Sequence, residues 1–211
     1  MRRRAEFIIG IDEAGRGPLA GPIAVGLCVL PSRSGKELLN LFSGFPFGKD
    51  SKKMSARQRE FWFGQIRVAQ SKRLLNFDVC FANAKDIDSK GVTSVSRECI
   101  LRLLKKLKVK EDSTAIFLDG GLKAPEKFKH QETVIKGDEK IFVISLASIV
   151  AKVKRDMKMK MLDKRFPEYG FREHKGYGTR KHFKALNEFG TCKEHRERFL
   201  VKWRGRGNYF N

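Results

Sequence analysis

The sequence predicts an α/β fold in which a central mixed β-sheet is flanked by helices and followed by a helical C-terminal portion. Three observations predict it: apolar, β-branched segments come early in the chain, helical patterns interleave with them, and the last third carries helical patterns alone. Glu6 to Asp12 (EFIIGID) reads as a buried strand, broken by Gly15-Arg16-Gly17-Pro18. Ala20 to Leu30 is apolar enough for a second strand ending at Pro31. Ser55, with Gln58 in capping-box spacing, opens a helix to about Gln70. Leu74 to Ala82 reads as a third strand. Val92 to Lys108 is an amphipathic helix with Val95, Cys99 and Leu103 on one side. Thr114 to Leu118 is a short strand ending at Asp119-Gly120, and Thr133 to Lys136 is a further candidate. Lys140 to about Lys164 forms a long helix stopped before Pro167. Thr179 caps a last helix through Phe189, closed by Gly190. Repeats and low-complexity linkers are lacking, so one domain over 1–211 is expected. The tail Trp203 to Asn211 has no assignable role.

With 211 residues and 41% hydrophobic composition the chain can bury a substantial core. Its 45 Lys and Arg against 24 Asp and Glu give a net charge of +21, which favours a polyanionic partner such as duplex DNA, RNA or an anionic membrane. From Lys152 to Asn211 there are 18 basic and 7 acidic residues, or +11, so the C-terminal portion is the stronger electrostatic footprint. The membrane is excluded: the longest apolar stretches, Ala20 to Leu30 and Ile141 to Ala151, fall far below the roughly 18 residues of a spanning helix. The start, MRRRAEFIIGIDE, is not a secretory signal. Cys28, Cys80, Cys99 and Cys192 form no CxxC pair and suit a reducing cytosol, so a cytoplasmic location is expected. His130, His174, His182 and His195 show no zinc-like spacing with them.

The acids carry the chemistry. Asp12 and Glu13 end the first strand, Asp119 ends the Thr114 strand, and Asp156 lies in the long helix. Sites of open α/β sheets lie beyond the carboxyl ends of strands. Carboxylates meeting there repel unless divalent cations sit between them, and oxygen ligands suit magnesium. In a regular strand Asp12 and Glu13 point to opposite faces, so Glu13 is expected to need the chain to leave strand geometry there.

Other segments admit two readings each. Ser145, Ser148, Lys152 and Asp156 form one helix stripe, lining a polar cleft or making an ordinary surface pair beside exposed serines. Gly15-Arg16-Gly17 lets the backbone approach a ligand and offers N–H groups, although turns produce such glycines often. Asp50 to Ser55 (DSKKMS) precedes a helix start, as a phosphate site or a plain cap. Tyr169-Gly170-Phe171 and His174 to Thr179 (HKGYGT) mix aromatics, bases and glycines, for stacking on a sugar or base or for burial.

Taken in order, the motifs resemble those of the ribonuclease HII family, the type 2 ribonucleases H. They are Ile11 to Pro22 (IDEAGRGPLAGP), Asp50 to Ser55, Asp119-Gly120, Lys136-Gly137-Asp138, Ala147 to Asp156 (ASIVAKVKRD), His174 to Thr179 and His195-Arg196, spread from residue 9 to about 199. The resemblance implies a ribonuclease H-like fold whose helical part, 165–211, covers the substrate groove. It implies Asp12, Glu13, Asp119 and Asp156 as catalytic acids holding Mg2+ or Mn2+. It also implies that Gly15, Arg16, Gly17 and Tyr177 sense the ribose 2′-hydroxyl and that Lys52 touches phosphate. The GRG triplet separates this type from its HIII relative. Leu146, Arg198 and the segment Gly121 to His130 depart from the family pattern.

The implied protein is a monomeric endonuclease. It hydrolyses the bond 5′ to ribonucleotides, in RNA–DNA hybrids and at single ribonucleotides in duplex DNA, by two-metal catalysis that leaves 3′-hydroxyl and 5′-phosphate ends. Ribonucleotide removal, a DNA-repair task, and RNA primer degradation would follow. The rival readings are a non-catalytic basic nucleic-acid binder, another metal nuclease of the same fold and, last, a phosphatase for small phosphoesters, which would not need +21.

Overall fold

A computed structural model describes residues 5–46 and 54–204. Its sheet has the strands β1 (Phe7–Ala14), β2 (Ile23–Pro31), β3 (Asn76–Ala82), β4 (Thr114–Asp119) and β5 (Gln131–Val134), in the order β3-β2-β1-β4-β5. The β1–β2 and β2–β3 pairs are antiparallel, while β1–β4 and β4–β5 are parallel, so the sheet is mixed as expected. The helices are α1 (Gly35–Leu41), α2 (Ala56–Ser71), α3 (Ala84–Lys90), α4 (Val92–Leu107), α5 (Gly137–Lys140), α6 (Phe142–Arg165), α7 (Phe171–His174), α8 (Arg180–Phe189) and α9 (Glu197–Arg204).

Alternation along the strands divides the core into two layers. On one face Ile9, Ile11, Ile116 and Leu118 pack against Val95, Cys99, Ile100 and Leu103 of α4. On the other, Ile8, Phe77, Val79 and Phe117 meet Leu146, Ala147, Ile149 and Val150 of α6, with α1 and α2 outside them. Helix α6 lies unusually close to the sheet because two strand glycines leave room for it. A Cβ at Gly10 would collide with the Val143 carbonyl, and one at Gly26 would stand 2.5 Å from the Ala147 oxygen. Leu146, a departure from the family pattern, is fully buried in this layer. A third cluster of Ala20, Met159, Leu162, Tyr169, Phe171, Leu186 and Leu200 fastens the C-terminal helices to the second half of α6.

The structure bears out the capping box: the Ser55 hydroxyl accepts from Gln58 N–H at 3.2 Å, and the Gln58 side chain accepts from Ser55 N–H at 2.8 Å. Thr179 caps α8 as read, and Gly190 ends it at φ +72°. Two expectations are corrected. The second strand starts at Ile23 rather than Ala20, because Gly21 (φ +85°) and Pro22 break it, leaving Ala20 in an isolated bridge to His195. The first strand does not leave strand geometry at Glu13; it runs on to Ala14, with Glu13 paired to Val25 and Ala14 to Ala24. Helices α1, α3, α5, α7 and α9 were not expected from the sequence, although Asn83, which accepts from Asp86 N–H at 2.8 Å, is a recognisable N-cap for α3.

Candidate active site

The parallel pairing of β1 with β4 decides the position of two acids. Its register ends at Ile11 opposite Leu118, so the next residues, Asp12 and Asp119, come at the same end of neighbouring strands. Helix α6, drawn close by Gly10 and Gly26, carries its polar stripe across that end. Together these elements and the loop after β1 form one cleft of about 610 Å³, lined among others by Asp12, Glu13, Gly15, Arg16, Gly17, Asp119, Asp156 and Tyr177. The four acids read from the sequence thus share a cleft. Glu13 reaches it although its strand stays regular, because the cleft wraps around the strand's end. Lys52 lies outside the described residues.

Each carboxylate has its own local partner. Asp12 is 5% exposed; its Oδ1 accepts the Glu13 N–H at 2.7 Å and its carboxylate accepts a bond from the Ser148 hydroxyl. Burial pushes its pKa up to about 8, aided by repulsion from Asp119 and Glu13 and opposed by Ser148 and Lys152. Burial also raises the Glu13 pKa, against the pull of Arg16, whose Nη1 lies 2.9 Å from Glu13 Oε1. Among the described residues, buried Glu13 Oε2 has no hydrogen-bond partner. Asp119 Oδ1 accepts the Gly137 N–H at 2.6 Å, which gives the Lys136-Gly137-Asp138 turn a function in orienting that acid. Asp156 Oδ2 stands 3.7 Å from Arg59 Nη2. The α6 stripe is therefore not a surface pair beside exposed serines: Ser145 and Ser148 are buried, and Lys152 and Asp156 both line the cleft.

The donor set is one of oxygens with a surplus of negative charge, including a buried oxygen atom that has no partner among the described residues, and it fits a hard divalent cation. Among the described residues no three His, Cys, Asp or Glu side chains are yet drawn together as a metal cage. Asp12, Glu13, Asp119 and Asp156, turned now toward Ser148, Arg16, Gly137 N–H and Arg59, are the residues that would hold the ion.

The glycine loop and the aromatic segment meet at the same cleft. Gly15 adopts φ +94°, and a side chain there would run into the Arg155 guanidinium. Tyr177 is 51% exposed at the cleft, held by its N–H to the His174 carbonyl (2.9 Å) after Lys175 (φ +54°) and Gly176 (φ +82°). Tyr169 and Phe171 are buried, so the aromatic segment divides between the two readings. Arg59 and Asp138 line the cleft without having been singled out as site residues. Arg59 sits in the first turn of α2, and only the packing of α2 on α6 brings it to Asp156. Asp138, buried at 4% exposure, was visible only as part of the KGD segment; its carbonyl accepts the Ser145 hydroxyl at 2.5 Å.

A sequence profile described as Ribonuclease HII matches residues 9–204. The chain belongs to the ribonuclease HII family. Ribonuclease HII of Campylobacter concisus is 41% identical over 195 residues, covering 92% of this chain and 94% of that one. Ribonuclease HII of Chlamydia caviae is 41% identical over 198 residues, covering 92% and 84%. Among solved structures, ribonuclease H2 from Pyrococcus horikoshii OT3 shares the fold at a TM-score of 0.71 and 24% identity, over 94% of this chain and 99% of that one. Bst-RNase HIII in complex with Mn2+ aligns at a TM-score of 0.61 and 16% identity, over 96% and 72%. The expected ribonuclease H-like α/β fold is thus the observed one, and a member of the ribonuclease HII family is a nuclease that hydrolyses RNA. Among the described residues no helix is long and apolar enough to cross a membrane.

Proposed function

We propose that this chain hydrolyses the phosphodiester 5′ to ribonucleotides, in RNA–DNA hybrids and at single ribonucleotides in duplex DNA, leaving 3′-hydroxyl and 5′-phosphate ends. The observation that carries this reading is the meeting of Asp12, Glu13, Asp119 and Asp156, from two strands and a helix, with the Gly15–Gly17 loop and Tyr177 in one cleft. Asp12, Glu13, Asp119 and Asp156 would hold Mg2+ or Mn2+, which when bound would supply charge neutralisation at the phosphate and a more acidic water. Ser148 and Gly137 N–H orient Asp12 and Asp119. The Gly15, Arg16 and Gly17 backbone and Tyr177 read the 2′-hydroxyl, the group that separates RNA from DNA locally. Lys152, Lys160 and Lys175 around the cleft favour phosphate, and Lys52 adds a phosphate contact. We place the protein in the cytoplasm as a monomer acting in ribonucleotide removal and primer degradation.

The test compares an all-DNA duplex with the same duplex bearing one ribonucleotide, with and without divalent metal, and with fragment ends mapped. Cutting only at the ribonucleotide, only with metal, and with 3′-hydroxyl ends supports the reading. Equal cutting of both duplexes refutes 2′-hydroxyl recognition, and cutting of neither refutes the reaction.

A further inference from the structure

Two arginines lie beneath the cleft, and their bonds run to loop carbonyls. Arg196 is fully buried: Nη2 donates to the Gly15 carbonyl at 2.7 Å and the Gly21 carbonyl at 2.7 Å, Nη1 to the Arg16 carbonyl at 3.0 Å, and Nε to Gly21 at 2.9 Å. Arg155, 3% exposed, donates through Nε to the Pro22 carbonyl at 2.9 Å, and through Nη2 to Ala20 at 3.3 Å and Lys175 at 3.0 Å. Among the described residues neither makes an ion pair with a carboxylate. A guanidinium taken out of water without a carboxylate is unfavourable unless its donors are all used. Here the satisfied acceptors are the carbonyls of the two segments that carry the glycine loop and Tyr177.

The consequence follows from peptide geometry. In a planar trans peptide the C=O and the following N–H point in opposite directions, and no cis bond interrupts the described chain. Fixing the Gly15 and Arg16 carbonyls on the Arg196 fork therefore turns the N–H groups of Arg16 and Gly17 the other way. Both residues line the cleft, and among the described residues neither N–H donates to a protein acceptor. Arg155 does the same service for the opposite wall, because the Lys175 carbonyl it holds lies two residues before Tyr177. A planar fork can hold several carbonyls in one arrangement, which a lysine ammonium cannot.

We propose that Arg196, seconded by Arg155, is a positioning residue for ribose discrimination: its fork aims the Arg16 and Gly17 amides, and Arg155 sets the Tyr177 segment, at the 2′-hydroxyl. The inference rests on the cleft being the ribonucleotide site. Arg196→Lys and Arg155→Lys keep the charge and remove the fork. Four quantities decide the matter: kcat and KM on a duplex with one ribonucleotide, the ratio of Kd for all-DNA over single-ribonucleotide duplex in Ca2+, and Tm. For folded Arg196→Lys we expect kcat/KM on the ribonucleotide duplex and the Kd ratio each to fall about tenfold, the scale of one well-aligned hydrogen bond. The Kd for all-DNA duplex stays unchanged. A Kd ratio that stays at the unsubstituted value overturns the proposal. So does an equal weakening on both duplexes, which marks a merely structural role. Should Arg196→Lys not fold, Arg155→Lys is read by the same criteria. A native protein with no preference for the ribonucleotide duplex would instead overturn the functional reading beneath it.

Discussion

Asp12→Asn should abolish cleavage and at the same time stabilise the metal-free protein. In the folded chain the Asp12 carboxyl titrates at about 8 rather than 3.8, so the folded state holds a proton that the unfolded chain releases. Asp12 thus detracts nothing below 3.8, and stability is lost progressively as pH rises toward about 8. Each pH unit above 3.8 costs about 1.4 kcal/mol, which by pH 7 amounts to roughly 4 kcal/mol. An asparagine has no proton to take up and escapes this loss, apart from whatever it forfeits by remaking the Ser148 bond, so the figure is an upper bound. For a chain of this size it corresponds to a Tm gain of about 10 °C in chelator at pH 7. The assay is thermal unfolding of both proteins from pH 5 to 8, with EDTA and with Mg2+. The difference in Tm between them should grow with pH in EDTA and shrink, or change sign, in Mg2+. Titrating groups remote from Asp12 are common to both proteins and cancel in that difference, whereas the repulsion of Asp12 by Asp119 and Glu13 is part of it. Parallel Tm–pH curves in EDTA would refute the argument that Asp12 is an uncompensated buried acid.

Three further outcomes are expected. Asp119→Asn should reduce cleavage by at least about a hundredfold, as losses of charge-stabilising groups at active sites do. Duplex binding in Mg2+ should persist; a variant still cutting at the native rate would remove Asp119 from the catalytic set, and a native protein that binds duplex without cutting it would favour the non-catalytic reading. His182, pressed against His174 and His195 (Nε2 to Nε2, 3.0 Å), has its pKa lowered by burial to about 4. The folded state therefore excludes a proton that the unfolded chain takes up, and stability is lost as pH falls from 6.5 toward 4. An imidazole NMR titration of His182 near 6.5 would contradict this. Gly10→Ala should destabilise by about 1–3 kcal/mol through the collision with the Val143 carbonyl, read as a lower urea midpoint. An unchanged midpoint would mean that α6 does not approach the sheet as described.

The strands and the long helices were legible because their signals are local. Alternating or continuous apolar runs, the Ser55–Gln58 capping box and the Thr179–Gly190 pair each act within a few residues. The limits were also local. Gly21 and Pro22 shorten the second strand in a way that apolar content alone does not reveal, and α1 and α9 depend on what they pack against. At the site, the four acids could be named, whereas Arg59 could not, since its partner Asp156 belongs to an element far away in sequence, and Asp138 could be seen only within the KGD segment because its burial comes from packing.

By itself the sequence determined which side chains are available: the acids at strand ends, the glycine loop beside them, the polar helix stripe, and a charge of +21 suited to a polyanion. Tertiary structure decided which of them meet. The parallel register of β1 on β4 sets Asp12 beside Asp119, and two strand glycines admit α6 closely enough to bring Ser148 and Asp156 over them. Two arginines more than 130 residues along the chain from the carbonyls of the β1–β2 loop hold it in shape. Local pattern encodes a residue's secondary structure, but a shifted pKa or a buried guanidinium arises only when packing removes water and brings distant groups together.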